Sequence, residues 1–261
     1  MVLIDKRIII TSFGSADKDK RLQSVEPFIE QVKENYPTYK VEQGLTSQVI
    51  IKKIKENEGI TFYTPSQIID QGIQEGVQEI HIQPLHIIAG IEYEKLIHMA
   101  QEYNNLTHIK VQVGKPLLAD VNSYEIIANA LSKHYPTYVG EGILLVGHGS
   151  KHISNHQYAF LQKIIDDKGL PIFIGNLMGT LNVHKAIEKM KQKGVFQVNV
   201  CPLLITIGKH MLNDIGGHHK DSVMSQLIKE GFIVDFVDKS ILEYEEIQKL
   251  FLEHLKNIIE N

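Results

Sequence analysis

An internal repeat limits the folds that are open to this chain. Short apolar runs alternate with helical patterns up to about residue 134, and the same alternation starts again at Gly142–Val146 (GILLV). Further along, Ile80–Glu92 (IHIQPLHIIAGIE) aligns with Val198–His210 (VNVCPLLITIGKH), with proline, leucine, isoleucine and glycine in register. Such a self-match predicts one supersecondary arrangement that is built twice.

The alternation of strands and helices predicts the α/β class. Runs that are apolar throughout are typical of parallel strands covered on both faces by helices. We therefore expect two similar lobes, each a parallel sheet flanked by helices, with the boundary near residues 136–141. The predicted lobes are residues 1–138 and residues 139–261. The predicted strands are residues 7–12, 41–45, 79–85, 109–113, 142–146, 171–175, 197–203 and 233–237.

Composition excludes several classes of function. The net charge of -4 argues against a nucleic-acid partner. No apolar run is long enough to span a membrane, and residues 1–13 do not resemble a secretory signal peptide. The single cysteine, Cys201, excludes an internal disulfide. These features predict a cytoplasmic protein without a membrane partner, and they leave homo-oligomer formation open.

Two histidines follow predicted strands of the second lobe. His148 lies in Gly147-His148-Gly149, where the glycines permit a sharp turn and the close approach of a flat ligand. His210 follows a later strand and another glycine. Each histidine alone has a bland explanation, as a satisfied turn residue or an exposed loop residue. As a pair they predict a divalent-metal site, because neutral imidazole suits Co, Fe, Ni and Zn.

The repeat places counterparts to both histidines in the first lobe. Phe13 aligns with His148, and Glu92 aligns with His210. Open α/β sheets bind ligands beyond the carboxyl ends of their strands, so we expect these four positions to face one cleft. Ordinary acid placement at a helix start also explains Glu92, and the two readings weigh about equally. The other residues predicted to contact substrate are Gly14, Ser15, His86, Gly149 and Met178.

Other catalytic motifs are missing from the sequence. It has no GxxxxGK[ST] phosphate loop and no GxGxxG after the first strand. It also has no GxSxG nucleophile elbow, no HExxH and no CxxC. Nucleotide binding, serine hydrolysis and thiol chemistry are therefore not predicted.

Six motifs are spread over nearly the whole chain: Ser12-Phe13-Gly14, Thr46-Ser47, Thr64-Pro65, Pro84–Lys95, Gly147-His148-Gly149 and Gly208-Lys209-His210. Together they resemble the anaerobic sirohydrochlorin cobaltochelatase family. The resemblance implies a ferrochelatase-like fold of two lobes, with a tetrapyrrole between them and no cofactor beyond the substrate metal, Co²⁺ by preference. It also implies that His148 and His210 bind the metal, that one of them accepts a proton, and that Glu92 is an acidic residue of the cleft.

Met178 departs from that family. The resemblance places a metal-binding glutamate where this chain has Met178, and no Asp or Glu lies between Asp167 and Glu188. A thioether is a soft, neutral ligand and replaces a carboxylate poorly. Three alternatives therefore stay open: a chelatase for Fe²⁺ or Ni²⁺ with a related tetrapyrrole, a carrier of tetrapyrrole or metal without turnover, and a two-lobed small-molecule binding protein.

Overall fold

The computed structural model describes residues 6–261, so the part of the signal-peptide prediction that falls on residues 1–5 lies outside the described residues. The strands are β1 (Lys6–Ser12), β2 (Lys40–Leu45), β3 (Glu79–Pro84), β4 (Lys110–Val113), β5 (Glu141–Val146), β6 (Ile172–Ile174), β7 (Gln197–Pro202) and β8 (Ile233–Phe236). The helices are α1 (Lys18–Asn35), α2 (Gln48–Glu58), α3 (Pro65–Gln74), α4 (Ile91–Leu106), α5 (Val121–His134), α6 (His156–Asp167), α7 (Val183–Gln192), α8 (Lys209–Gly216), α9 (Val223–Lys229) and α10 (Glu245–Ile259).

Two four-stranded sheets confirm the predicted α/β class and the repeat. Their strand orders are β2-β1-β3-β4 and β6-β5-β7-β8, and every pairing is parallel. The second order is the first with each strand number raised by four. The centre of each sheet is apolar on both faces, as in β1, where Ile8, Ile9 and Ile10 are fully buried. Each sheet therefore needs helices on both sides.

Polar side chains cap the first turn of several helices. Thr64 caps α3 in a reciprocal capping box with Gln67, and Pro65 occupies the first turn. Asp17, Ser47 and Asp120 cap α1, α2 and α5 with their side chains. By contrast, α4 and α8, which follow the matched strands β3 and β7, both begin after glycine without a side-chain cap. The repeat thus extends to the way these two helices start.

The chain forms two compact units whose boundaries differ from the lobes predicted at residues 1–138 and 139–261. Unit 1 comprises the described residues up to Leu117 together with Gln248–Asn261, and unit 2 is Leu118–Ile247. Most of α10 therefore belongs to the first unit, where Phe251 packs edge-on against Phe28 with ring centroids 6.1 Å apart. Within residues 6–261, no helix is both long enough and apolar enough to cross a membrane.

Candidate functional site

His148 belongs to unit 2 and lies exposed on a tight turn at the carboxyl end of β5. The two flanking glycines are buried, whereas His148 itself is exposed. Its Nδ1 lies 3.0 Å from the carbonyl oxygen of Gly149. Because a carbonyl can only accept, Nδ1 of the neutral ring carries the proton and Nε2 keeps its lone pair. Nε2 is thus the nitrogen that can bind a metal ion or accept a proton.

Gly149 makes this turn possible. Its φ of 73° lies in the left-handed region. A Cβ atom at this position would lie 1.9 Å from the carbonyl oxygen of Met178, so no side chain fits. The backbone N–H groups of Leu177 and Met178 donate to the carbonyls of Gly147 and His148, each at 3.0 Å. Met178, which is 39% exposed, is therefore adjacent to His148 through the main chain.

His210 lies on a helix that the sequence analysis missed. It was expected in a loop after a glycine turn, but it occupies the first turn of α8 and is exposed. Strands β5 and β7 are hydrogen-bonded neighbours, with Val146 opposite Pro202. His148 and His210 therefore follow adjacent parallel strands and lie at the same edge of the second sheet, as the repeat predicts.

The turn after β1 presents an aromatic ring in unit 1. Phe13 is 54% exposed, and Gly14 has a φ of 96°, which matches the left-handed Gly149 of the repeat. Arg21 donates from Nη1 to the carbonyl of Ser15 at 2.8 Å, and its guanidinium is bound by Glu58 at 2.6 and 2.8 Å. A partly buried ion pair between Arg21 and Glu58 therefore holds this turn, and the spacing of residues in the sequence did not reveal it.

His86 and Glu92 follow β3 in the same unit. The His86 residue as a whole is half-buried, but both ring nitrogens are sealed from solvent and have no hydrogen-bond partner within residues 6–261. Burial lowers the pKa of His86 to about 4, and the nearby charge of Glu92 only partly offsets this. Glu92 is partly exposed and pairs with Lys95 at 2.7 Å. His86 is therefore neutral near pH 7 and lies within electrostatic range of the candidate carboxylate.

Both arginines of the chain are bound internally. Arg7 is fully buried and pairs with Glu42 at 3.0 Å and Glu75 at 2.6 Å, and Arg21 pairs with Glu58. Because the sequence has only two arginines, arginine can supply at most a minor share of the anchoring of substrate carboxylates. The structure goes further, since each guanidinium already has carboxylate partners.

The structure brings the candidate residues together as two sets, one at the carboxyl edge of each sheet. His148, His210 and Met178 belong to unit 2, whereas Phe13, Gly14, Ser15, His86 and Glu92 belong to unit 1. Among residues 6–261, no three His, Cys, Asp or Glu side chains form a group that could hold a metal ion. That the two sets face one cleft stays a prediction.

A separate concavity of about 520 Å³ lies at the opposite, amino edge of the second sheet. It contains Glu141 at the start of β5 and Pro171 just before β6, and none of the candidate residues. Parallel sheets of this kind bind ligands at the carboxyl edge, so the histidine-bearing edge is a stronger candidate site than this concavity.

The residues that support the His148 turn were not predicted from the sequence. Tyr158 on α6 is 2% exposed and Asn176 after β6 is fully buried. Asn155 accepts a hydrogen bond from the N–H of Ser150 at 2.9 Å through its side chain. No spacing in the sequence connects these three residues with the turn, because they come from different elements and meet only in the folded unit.

A family model described as Cobalt chelatase (CbiK) matches residues 6–260. The chain is 28% identical over 251 residues to a sirohydrochlorin cobaltochelatase of Salmonella typhimurium, covering 96% of this chain and 95% of that protein. It is 26% identical over 257 residues to the sirohydrochlorin cobaltochelatase CbiKC of Nitratidesulfovibrio vulgaris, covering 96% and 89% respectively.

A solved structure has the same fold. The sirohydrochlorin chelatase SirB from Bacillus subtilis subspecies spizizenii in complex with cobalt superimposes with a TM-score of 0.67 and 14% sequence identity. The match covers 98% of this chain and 96% of that chain. At this identity the likeness concerns the fold alone, and it agrees with the two parallel sheets flanked by helices.

Proposed function

Because the chain belongs to the cobalt chelatase (CbiK) family, we propose that it inserts Co²⁺ into sirohydrochlorin, as a step of cobalamin biosynthesis in the cytoplasm. The family makes it an enzyme, an ATP-independent metal chelatase of the lyase class. The proposal regards the metal ion as a substrate and the tetrapyrrole as the other substrate, with no further cofactor. The observation that carries it is the exposed His148 with Nε2 free at the sheet edge that also bears His210.

The first step is capture of the metal ion. Nε2 of His148 and the imidazole of His210 replace water ligands, since neutral imidazole is a good ligand for Co²⁺. The bond from Nδ1 of His148 to the Gly149 carbonyl fixes the tautomer and the ring direction, as second-layer partners of metal-binding histidines do. The proposal assigns both histidines to the metal.

The second step is the exchange of protons for metal. Inserting M²⁺ into the macrocycle forms bonds to its nitrogens and releases the two pyrrole N–H protons, so a base must receive them. One imidazole serves as a base when it is not bound to metal. Glu92, whose carboxylate pairs with Lys95, relays protons or helps to hold the ion.

The tetrapyrrole carries many carboxylates and a flat conjugated face. Phe13 is the exposed ring that suits stacking on this face. With both arginines bound internally, backbone N–H groups of the Gly14-Ser15 turn and lysines remain to meet the carboxylates. The N–H groups of Gly149 and Ser150 already donate to Tyr158 and Asn155. His86 completes the predicted substrate contacts on the unit 1 side.

Met178 supports a second candidate metal. It is connected to His148 by a main-chain hydrogen bond of 3.0 Å, and its thioether is neutral and soft. A site of two imidazoles and a thioether lacks the oxygen ligand that a glutamate supplies. We therefore propose Fe²⁺ or Ni²⁺ with a related tetrapyrrole as the alternative reaction, to be separated from Co²⁺ by competition.

The test is anaerobic incubation of the protein with sirohydrochlorin and Co²⁺, Fe²⁺ or Ni²⁺, followed by absorbance. We expect Co²⁺ insertion with multiple turnovers, and His148→Ala should lower the rate by about 100-fold or more. His184→Ala is the matched control, because His184 is also an exposed histidine of unit 2 but lies on α7, where it contacts Glu188. A wild-type rate for His148→Ala at saturating metal would contradict the assignment, and one-to-one binding without turnover would contradict catalysis.

The role of Glu92 has its own matched pair. Glu92→Gln removes the carboxylate and keeps its shape, and Glu94→Gln makes the same change in the same helical turn at an exposed position. We expect turnover to fall with the first variant and to stay at the wild-type level with the second. Equal activity of the two variants would remove Glu92 from the mechanism.

A further inference from the structure

The turn that carries His148 rests on two buried polar side chains. On one side, the hydroxyl of Tyr158 accepts a hydrogen bond from the backbone N–H of Gly149. Tyr158 belongs to the first turns of α6 and is 2% exposed. Burial raises the pKa of this phenol above its usual range, so the hydroxyl stays neutral and can accept this bond at any working pH.

On the other side lies the carboxamide of Asn176. It is fully buried, and neither amide atom has a hydrogen-bond partner among the described residues. A Cβ atom on Gly147 would lie 2.5 Å from its Oδ1 and 3.1 Å from the ring of Tyr158. Gly147 is thus enclosed by both side chains, and the turn has no room to move toward either.

The main chain completes the enclosure. The carbonyls of Gly147 and His148 accept from Leu177 and Met178, and the N–H of Gly149 donates to Tyr158. His148 therefore sits between two glycines whose positions are fixed, although glycine is the residue with the greatest backbone freedom. The direction of the imidazole depends on these anchors more than on its own backbone preference.

Burial of a polar side chain costs more free energy than burial of an apolar side chain of similar size. A leucine or phenylalanine would fill a sealed position without the desolvation of a hydroxyl or a partnerless amide. Their presence directly beneath an exposed, metal-competent imidazole indicates a role in its geometry. A metal ligand must be held to within a fraction of an ångström, and its supporting groups commonly decide whether it is.

We propose that Tyr158 and Asn176 are positioning residues, which hold the Gly147-His148-Gly149 turn so that Nε2 of His148 points at the incoming metal ion. The inference rests on the proposed function for its meaning. Neither residue touches the metal or the tetrapyrrole. Their removal should therefore weaken metal capture and turnover while leaving the affinity for the tetrapyrrole unchanged.

The test compares Tyr158→Phe with Tyr244→Phe. Tyr244 is also 2% exposed and in unit 2, and its hydroxyl is bonded at 2.6 Å to Tyr135, away from the turn. Three quantities are measured: the dissociation constant of Co²⁺ from its visible absorption bands without tetrapyrrole, kcat, and KM for sirohydrochlorin. For Tyr158→Phe we expect about tenfold weaker Co²⁺ binding and about tenfold lower kcat, with an unchanged KM.

Tyr244→Phe should leave all three quantities within about twofold of the wild type, even where its thermal stability falls as far as that of Tyr158→Phe. Wild-type Co²⁺ binding in Tyr158→Phe, or losses equal to those of Tyr244→Phe, would overturn the proposal. The Co²⁺ titration needs no turnover, so failure of the wild type to insert metal counts against the proposed function and leaves this comparison decisive.

If Tyr158→Phe does not fold, the opposite side of the turn carries the test. Asn176→Ala removes the buried carboxamide that lies against Gly147. We expect this variant to bind Co²⁺ about tenfold more weakly and to keep the wild-type KM for sirohydrochlorin. Wild-type Co²⁺ binding in Asn176→Ala, or losses equal to those of Tyr244→Phe, would overturn the proposal.

Discussion

Replacing His86 by leucine should make the stability of the protein less sensitive to acid. Both ring nitrogens of His86 are buried without a hydrogen-bond partner in the described part of the chain, and burial lowers the pKa of His86 to about 4 from an ordinary value of 6.5. The unfolded chain therefore binds a proton at mildly acidic pH that the folded chain does not. The free energy of unfolding is therefore not reduced by His86 above about pH 6.5, and it decreases as the pH falls toward about 4.

The size of the effect follows from the shift. One pKa unit corresponds to about 1.4 kcal/mol, so this imidazole costs about 2 kcal/mol of unfolding free energy at pH 5 and nearly nothing at pH 7.5. His86→Leu removes this loss. At pH 7.5 the variant should be as stable as the wild type or more stable, because a buried donor and acceptor without partners disappear.

The assay is urea unfolding at pH 7.5 and pH 5, followed by circular dichroism and tyrosine fluorescence. Other groups also respond to acid, so the quantity of interest is the difference between variant and wild type. Ile87→Val, which changes the same turn without removing a titratable group, should keep the wild-type difference between the two pH values. The same acid loss in His86→Leu as in the wild type would refute the burial argument.

The same variant links stability with function. The buried imidazole of His86 lowers the stability of the protein and lies near Glu92. A destabilising residue at this place indicates a role in function. We therefore expect His86→Leu to lose turnover while it keeps or gains stability at pH 7.5. Wild-type turnover would remove His86 from the predicted substrate contacts.

Three further predictions concern the turns. Gly149→Ala should destabilise unit 2 by about 2 kcal/mol or more and abolish Co²⁺ binding, because the added Cβ atom would collide with the Met178 carbonyl. Thermal unfolding and Co²⁺ titration measure the two effects, and a wild-type melting temperature would contradict the prediction. Met178→Glu should tighten Co²⁺ binding by about tenfold or more by adding an oxygen ligand, and an unchanged titration would exclude this position from the metal. Phe13→Ala should raise KM for the tetrapyrrole several-fold, because the exposed ring is lost. Phe196 is the control, since it is also 54% exposed but precedes β7, and Phe196→Ala should keep the wild-type KM. Equal KM values for the two variants would contradict stacking.

Much of the fold could be predicted because the signals are local and repeated. Strand runs, caps such as Thr64 and the glycine turns at Gly14 and Gly149 depend on neighbours in sequence. Because the arrangement is duplicated, each predicted strand and turn of one half has a counterpart in the other half. Equal strand orders in both sheets follow from that duplication.

The helix around His210 was missed for a physical reason. Helix α8 is eight residues long, starts after Gly208 without a side-chain cap, and buries only Ile215. Met211 also packs against the core, so the helix has an apolar face. Eight residues are nevertheless fewer than the window of about 11 residues or more over which a helical period is recognised in a sequence. A helix of this kind depends on its place at the strand end more than on its own composition.

The supports of the site were also beyond reach of the sequence. Tyr158 and Asn176 contact the His148 turn from separate elements, and Arg21 reaches the Ser15 carbonyl with its charge bound by Glu58. Contacts of this kind depend on how strands and helices pack in three dimensions. The division into units likewise assigns the end of α10 to the first sheet, which pattern alone did not indicate.

Binding of the metal substrate by both imidazoles is the claim on which the account depends. X-ray absorption at the cobalt edge, on protein loaded with one equivalent of Co²⁺, measures it directly. We expect two imidazole nitrogens at about 2.1 Å, with one lost in His148→Ala and one lost in His210→Ala. An imidazole count that neither substitution changes would contradict the account.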